Sequence, residues 1–247
     1  MSPQTMPASR PPAAPPGARP APRGGRLTRR TLRPWRQDYL VYRYLWPHIV
    51  EGVAGARSAL GVARPLVLDL GCGNRPYADL FEGCRYVGVD HSADDSRPDV
   101  VMDASSLALA AACFDLVFCT QVIEHVPDPA ALVREGFRVL RPGGFLVLTG
   151  PFWWPLHEEP HDYHRFTRHG FQHLLRSAGF AQVRITPDGG DWAQFFLAVA
   201  LRLGGRPLAP VRLVTNLLGA ALDRAAPSYT YPANYTVVAR RPEAEDA

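Results

Sequence analysis

The sequence has 247 residues, of which 47% are hydrophobic, and a formal net charge of +4 at pH 7. A chain of this length and composition can bury the sizeable core that one enzyme domain requires. The positive charge is concentrated in residues 1–37, which contain many arginines and no acidic residue. Because the remainder is mildly acidic and carries no RNA-binding or stacked-aromatic motif, the composition argues against a specific nucleic-acid partner.

The N-terminal segment, residues 1–36, is rich in proline and arginine and poor in large apolar side chains. It cannot bury enough apolar surface to fold, so we predict a disordered tail, and likewise for residues 241–247. No apolar stretch follows the basic residues, which argues against a secretory signal. An arginine-rich tail can bind nucleic acid or anionic lipid without specificity. We therefore expect one domain over residues 37–240.

The domain begins with apolar residues at helical spacing, which predict a helix over residues 37–60. Pro47 either kinks this helix or marks the residue at which it begins.

Two hydrophobic strands follow, and each ends in a feature typical of a cofactor site. Residues 67–70 run into Gly71 and Gly73, and glycines at such a turn let the backbone approach a ligand closely. The second strand, residues 86–89, ends in Asp90, about twenty residues after the acid of the first strand. That spacing suits a carboxylate that binds ribose hydroxyls in a doubly wound α/β fold.

The loop after the first strand indicates which kind of cofactor fits. A dinucleotide site needs a third glycine where this chain has Pro76, and no Lys-Ser/Thr pair is present for a phosphate-binding loop. A ribose-containing cofactor without phosphates fits better, and S-adenosylmethionine is the common one.

Three further strands are predicted downstream, at residues 99–102, 114–119 and 145–149, with a helix over residues 129–140. Together with the first two strands they carry five motifs: VLDLGCGNRPY, YVGVDHS, DASSL, FDLVFCTQVIEHV and LRPGGFLVLTGP. In this order and spacing the motifs resemble those of class I S-adenosylmethionine-dependent methyltransferases of the type 11 group. The resemblance covers roughly residues 66–180. It implies a Rossmann-like, doubly wound, seven-stranded sheet, mostly parallel with an antiparallel last strand.

The resemblance also implies roles for individual residues. In the first loop, Asp69, Gly71 and Gly73 would lie along the methionine part of the cofactor, or Asp69 would only cap the loop. Asp90 would hold the ribose and His91 would flank the adenine. The remaining implied contacts, to the adenine edge and the methionine carboxylate, fall on Asp103, Ala104 and Gln121, with an ordinary helix cap as the alternative for Asp103. The helix over residues 37–60 would either cover the cofactor cleft or only pack on the core.

The chemistry is expected just past the fifth strand, in residues 150–167, because ligands of open α/β sheets collect at the carboxyl ends of the strands. A hydroxyl acceptor must lose its proton as it attacks, so His157 and His161 are the candidate catalytic bases. Trp153, Tyr163 and Arg165 are the candidate substrate-binding residues.

Two other interpretations of this histidine-rich loop stay open. The loop could be a polar network that fixes a lid over the cofactor. It could also hold a metal through His157, His161 and His164 with Glu158 or Asp162, but two prolines interrupt regular helical spacing, and we predict no metal site.

The last third departs from a small methyltransferase, because about fifty residues separate the sixth strand, residues 180–186, from the last one, residues 235–239. Two apolar segments in this interval predict a helical hairpin insertion over residues 191–225. Each segment is too short to span a bilayer. The hairpin could lie on a membrane interface, line an apolar substrate pocket, pair with a second subunit, or simply cover the sheet.

The sequence thus predicts methyl transfer from S-adenosylmethionine to an oxygen, less favourably a carbon or nitrogen, of a small or lipid-linked acceptor. A sugar hydroxyl of a surface glycan is the first candidate. A quinone or isoprenoid-linked ring is the alternative, and a non-catalytic cofactor-binding subunit is the rival from another class. We expect a cytoplasmic location, with contact at the inner face of the membrane if the hairpin binds lipid. The four cysteines have no metal spacing and indicate buried apolar residues in a reducing compartment.

Overall fold

The central strands of the domain are hydrophobic along their whole length, which requires both faces of the sheet to be covered. A computed structural model describes residues 32–94 and 96–243 and the strand Arg19–Pro20, and it shows this arrangement. The strands in chain order are β1 (Arg19–Pro20), β2 (Leu66–Leu70), β3 (Arg85–Asp90), β4 (Val100–Val101), β5 (Phe114–Thr120), β6 (Leu140–Pro151), β7 (Gln182–Asp188) and β8 (Asn234–Arg240). The helices are α1 (Tyr39–Leu60), α2 (Pro129–Val139), α3 (Arg168–Ser177), α4 (Asp191–Arg202) and α5 (Ala209–Ala225).

The strands form one sheet in the order β1-β3-β2-β5-β6-β8-β7, and β4 pairs with β3. Strands β2 to β6 pair in parallel, whereas β8 lies antiparallel between β6 and β7. The predicted Rossmann-like sheet of seven strands with an antiparallel last strand is therefore confirmed for β2–β8. The two-residue strand β1 adds an antiparallel pair with β3.

Two hydrophobic clusters fill the space on either side of the sheet. One cluster joins the strands to α2 and α3 and includes the fully buried Phe171 and Leu132. The other joins them to α1 and includes Ile49, Phe81 and Phe118. All four cysteines are buried and unpaired, as the sequence predicts.

Helix α1 runs without interruption through Pro47. The predicted alternative, that the helix begins at Pro47, is therefore wrong. Proline removes one intrahelical hydrogen bond. Burial of Leu45, Ile49 and Val53 on one face of the helix offsets that loss, because all three side chains are at most 2% exposed.

The predicted N-terminal tail is shorter than expected in the described part of the chain. The backbone oxygens of Pro34 and Arg36 each accept a hydrogen bond of 2.7 Å from the Asn216 amide, and that of Trp35 accepts one of 2.9 Å from Arg212. Residues 34–36 are thus held on α5, which corrects the boundary at residue 36. Apart from β1, the rest of the predicted tail lies outside the described residues, as do residues 244–247.

The predicted hairpin insertion corresponds to α4 and α5, which pack on each other and on α1. A Cβ on Gly219 of α5 would clash with Phe196 of α4, so the two helices approach closely at this glycine. Among the described helices, none combines the length and apolar character needed to cross a bilayer.

Candidate active site

The site lies where β2, β3 and β5 end, and its first wall is the loop after β2. Gly71 has φ +67°, and a Cβ at this position would clash with the Val122 side chain, so glycine is required here. The N–H of Gly73 donates to Oδ2 of Asp90 over 2.8 Å. The end of β3 thereby fixes the shape of the loop after β2.

Asp69 supports this loop from behind. Its carboxylate accepts a short hydrogen bond from the Tyr86 hydroxyl, and only 3% of the residue is exposed. Burial raises the pKa of Asp69 to about 7. Asp69 is not among the residues that line the adjoining cavity, so the alternative role of capping the loop describes its position better than direct contact with the cofactor.

A cavity of about 430 Å³ opens beside the loop, a size within the usual range for small-molecule sites. One side is apolar and the other presents polar groups from β3, the loop after β4 and the loop after β6. Its lining residues are Gly71, Asp90, His91, Met102, Asp103, Ala104, Val122, His125, Val126, Pro127, Glu158, His161 and Tyr163.

The lining fits an adenosine derivative without phosphates. Asp90 can accept from ribose hydroxyls, and Met102 and Val126 offer apolar surface to an adenine ring. Asp103 accepts from the backbone N–H and hydroxyl of Ser105 through Oδ1 alone, which leaves Oδ2 for an adenine amino group. No lysine or arginine side chain is among the residues that line the cavity.

Most of the predicted cofactor-binding residues meet at this cavity. Gly71, Asp90, His91, Asp103 and Ala104 line it, whereas Gly73 takes part through its bond to Asp90. Gln121 instead lies at a neighbouring cavity. Its backbone has φ +53°, and its side chain donates to Oγ1 of Thr149 over 3.0 Å.

The neighbouring cavity has a volume of about 280 Å³ and lies between α1 and the loop after β6. Its lining includes aromatic and aliphatic side chains as well as polar ones. Two residues, His125 and Glu158, line both cavities and therefore stand between them. The lining residues are Asp38, Val41, Tyr42, Leu45, Tyr77, Gln121, His125, Trp154, His157, Glu158 and Asn234.

The hydrogen bonds of His125 set its tautomer. Nδ1 lies 2.7 Å from the backbone oxygen of His161, and a carbonyl can only accept, so Nδ1 carries a proton. In the neutral ring Nε2 is therefore the unprotonated nitrogen. It lies 3.6 Å from Oε2 of Glu158 and 3.9 Å from Oε1 of Glu124. His125 thus presents a basic nitrogen beside two carboxyl groups.

Glu124 is completely buried next to this histidine, and neither of its carboxyl oxygens has a hydrogen-bond partner in the described part of the chain. Burial raises the pKa of Glu124 to about 8. The donor atoms of Glu124, His125 and His157 lie within 4.8 Å of one another, a grouping that can hold a divalent ion. The prediction that no metal is bound therefore stays a prediction.

The two histidines predicted as bases do not face the same cavity. His157 lines the smaller cavity and packs edge-on against His125, with 4.8 Å between the ring centroids. His161 lines the larger cavity, and its Nδ1 lies 2.9 Å from the hydroxyl of Tyr163. Tyr163 lines the larger cavity too, so its predicted contact with substrate would require an acceptor that reaches into that space.

Two predicted substrate-binding residues are placed differently. Arg165 donates to both oxygens of Asp162, at 2.6 and 2.7 Å, and to backbone oxygens that include that of Trp154. This guanidinium ties the loop after β6 together through those bonds, and a contact between Arg165 and substrate stays a prediction. Trp153 lines neither cavity, and Trp154 takes the predicted place.

The residues that stand between the two cavities were not predicted from the sequence. Glu124 and His125 stand in the short turn Ile123–His125 directly after β5, within the motif FDLVFCTQVIEHV. The sequence did offer a signal for these two residues. An acid and an imidazole stand next to each other just past a parallel strand, and such positions face the edge of the sheet where ligands bind. The place of Glu158 was not predictable, since it depends on how the loop folds back.

Comparison with known proteins agrees with this site. Residues 68–148 match the family model of a methyltransferase domain. A ubiquinone biosynthesis O-methyltransferase of Paracidovorax citrulli (strain AAC00-1) is 36% identical over 100 residues, which cover 34% of this chain and 42% of that protein. The enzyme of the same name from Xanthomonas oryzae pv. oryzae (strain PXO99A) is 32% identical over 137 residues, with 48% and 49% covered. The chain thus spans less than half the length of these curated relatives.

Among solved structures, phosphoethanolamine N-methyltransferase 2 of Haemonchus contortus, in complex with S-adenosyl-L-methionine, is similar with a TM-score of 0.52. The identity is 19%, over 87% of this chain and 59% of that one, which supports the fold alone. Fold, loop geometry and family match agree. Residues 68–148 are a methyltransferase domain in a sheet of the Rossmann-like type, and S-adenosylmethionine is the cofactor that this domain implies.

Proposed function

We propose that the protein transfers a methyl group from S-adenosylmethionine to an oxygen atom of a small or lipid-linked acceptor, and that the acceptor carries a phenolic or quinone-like ring. The observation that carries this proposal is that His125 and Glu158 line both cavities. One cavity fits the cofactor and the other is free for an acceptor, so both reactants would approach the same histidine.

The larger cavity would hold the cofactor through residues already described. Asp90 would accept from the ribose hydroxyls, and Asp103 would accept from the adenine amino group. When bound, S-adenosylmethionine supplies a methyl group on a positively charged sulfur. The protein's contribution is alignment, because an in-line displacement needs nucleophile and methyl carbon held at close range and correct angle.

The smaller cavity favours a ring over a sugar. Tyr42, Tyr77 and Trp154 line it, with Val41 and Leu45 beside them. Aromatic and aliphatic side chains of this kind pack well against a flat apolar ring. Glu158 and the histidines, which also line the cavity, would face the ring hydroxyls. The similar proteins named ubiquinone biosynthesis O-methyltransferases favour the same class of acceptor. Nothing comparable supports the surface-glycan acceptor.

His125 is the proposed general base. Its Nδ1–H is held by the His161 carbonyl, so Nε2 is available to take the proton of an acceptor hydroxyl. The imidazolium that results would lie 3.6 Å from Oε2 of Glu158, whose carboxylate would stabilise the positive charge. His157 lines the acceptor cavity and is the second candidate. His161 acts in this scheme through its backbone oxygen.

The test combines cofactor binding with turnover. Calorimetry should show binding of S-adenosylmethionine and none of NAD. Purified protein incubated with S-adenosylmethionine and a panel of catechols and hydroxylated quinones should give products that are one methylene heavier by mass spectrometry. Binding of the cofactor without turnover of any compound in this panel would favour a non-catalytic cofactor-binding subunit instead. Binding of NAD alone would overturn the proposal.

A further inference from the structure

Helix α4 exposes an apolar stripe that no described element covers. Trp192, Phe195 and Val199 recur every three to four residues and share one face, and Phe195 is 58% exposed. Large apolar side chains in this arrangement are unusual on a protein surface that contacts only water.

Helix α5 exposes a second stripe of the same kind. Val211, Val214, Leu217 and Leu218 lie on one face, and Val214 is 65% exposed. Arginines stand at the C-terminal end of each helix, Arg202 on α4 and Arg224 on α5, and both are exposed. The hairpin thus has exposed apolar faces with basic residues near their ends.

The acidic residues of the hairpin are committed to internal bonds. Asp223 is 6% exposed and accepts from the backbone N–H groups of Gly190 and Ala193. Asp191 accepts from the hydroxyl of Ser228 and from the N–H of Tyr231. Within the described part of the hairpin, then, no acidic side chain opposes the positive charge of the exposed face.

The N-terminal segment brings more positive charge to the same place. Asn216 and Arg212, both on α5, hold the backbone at residues 34–36. Just before this anchor, Arg33 is exposed, and its guanidinium lies over the Trp35 ring, 5.8 Å from the ring centroid.

We propose that the α4–α5 hairpin, together with Arg33 beside it, forms a docking surface for an anionic lipid bilayer. Apolar side chains would enter the interface between headgroups and acyl chains, and the arginines would pair with anionic headgroups. Asp191, the neighbour of Trp192, accepts from Ser228 and from Tyr231, so the exposed Tyr229 and Tyr231 lie in the same region as Trp192. All three rings match the preference of Trp and Tyr for the membrane interface.

The position of the acceptor cavity fits this surface. Asp38 and Tyr42 line the cavity, and the preceding Gln37 donates to the backbone oxygen of Leu201 on α4. One turn of α1 therefore joins the cavity to the hairpin. Docking would bring the cavity close to the bilayer, where a lipid-linked acceptor resides; this last point rests on the proposed function, whereas the docking surface does not.

The test is flotation of the full chain with vesicles of phosphatidylglycerol and phosphatidylcholine, against vesicles of phosphatidylcholine alone. We expect binding to the anionic vesicles that weakens as salt is raised. The double variant Phe195→Ser/Val214→Ser should lower the partition coefficient at least about tenfold, because it removes apolar area from the interface. The double variant Arg202→Gln/Arg224→Gln should lower it about fivefold for each arginine removed.

Matched controls are Val62→Ser, which changes an apolar residue of 43% exposure away from the hairpin, and Arg176→Gln on α3. Both should bind vesicles like the unchanged protein. Absence of vesicle binding, or binding that the two double variants leave intact, would overturn the proposal. So would a stable dimer in sedimentation velocity that Phe195→Ser/Val214→Ser dissociates, since the face would then join two copies.

Calorimetry with S-adenosylmethionine on the same preparations separates this inference from the proposed function. The hairpin variants should bind the cofactor unchanged. A protein that floats with anionic vesicles yet binds no S-adenosylmethionine would retain the docking surface and lose the proposed activity.

Discussion

The backbone N–H of Gly73 and the carboxylate of Asp90 are joined by a hydrogen bond of 2.8 Å, which links the loop after β2 to the end of β3. The same carboxylate lines the cofactor cavity. One side chain therefore shapes the loop and also faces the ligand. A substitution of Asp90 would therefore disturb both the loop and the proposed contact with the cofactor.

Replacing Asp90 by alanine should raise the dissociation constant for S-adenosylmethionine at least about tenfold, because a hydrogen bond to a charged group contributes about 1.5–3 kcal/mol. Titration calorimetry measures the effect. Glu82→Gln, an exposed acidic residue after β2, is the control and should bind normally. Unchanged affinity in Asp90→Ala would place the ribose elsewhere.

Replacing His125 by glutamine should lower turnover about 10²–10⁴-fold, the usual contribution of a general base, and leave cofactor affinity within about threefold. Single-turnover assays with S-adenosylmethionine and the best phenolic acceptor measure the chemical step. His169→Gln, on an exposed part of α3, should behave like the unchanged enzyme. If His125→Gln turns over normally and His157→Gln does not, His157 is the base.

Replacing Arg165 by alanine should lower the free energy of unfolding by about 3 kcal/mol, because it leaves the carboxylate of Asp162 without its charged partner. The Arg165 guanidinium holds the pKa of Asp162 well below its usual range. Urea unfolding at pH 7 provides the measurement. Arg134→Ala breaks an exposed ion pair with Asp128 and should cost less than about 1 kcal/mol. A similar loss in both variants would contradict the structural role of Arg165.

The ion pair of His48 and Asp188 predicts a dependence of stability on pH. Nδ1 of His48 lies 2.6 Å from the buried carboxylate, and this hydrogen bond raises the pKa of His48 above 6.5. A base whose pKa is raised by folding contributes its full stability below pH 6.5, and it loses that contribution as the pH rises through the raised value.

The difference in stability between the unchanged protein and His48→Gln should therefore be larger at pH 6 than at pH 9. Urea unfolding at the two pH values measures it. His173→Gln, exposed on α3, should show the same small difference at both. An equal difference for His48→Gln at both pH values would mean that protonated His48 gains nothing from Asp188.

Local pattern was enough for the strands that form the cofactor edge. The runs that end at Leu70, Asp90 and Thr120 are mostly apolar because helices cover both faces of the sheet, and that pattern is visible in the sequence. Asp90 and the glycines lie within a few residues of those strand ends, and Asp103 follows β4 by two residues. A parallel sheet brings such positions together whatever the rest of the chain does.

Long-range contacts decided what local pattern could not. Helix α1 continues through Pro47 because tertiary burial outweighs the local preference to stop. Residues 34–36 read as part of a disordered tail, yet Asn216, some 180 residues later, fixes their backbone. The carboxylate and carbonyl partners of Arg165 are likewise seen only in the folded chain.

The sequence by itself determined the sheet, the cofactor class and most of the residues that would hold the cofactor, since these depend on motifs at strand ends. Only the tertiary structure decided which histidine stands between the two cavities and which face of the hairpin is left uncovered. Those features arise from loops and helices packing across long separations in sequence. The type and spacing of side chains do not show which distant residues will pack against them in the folded chain.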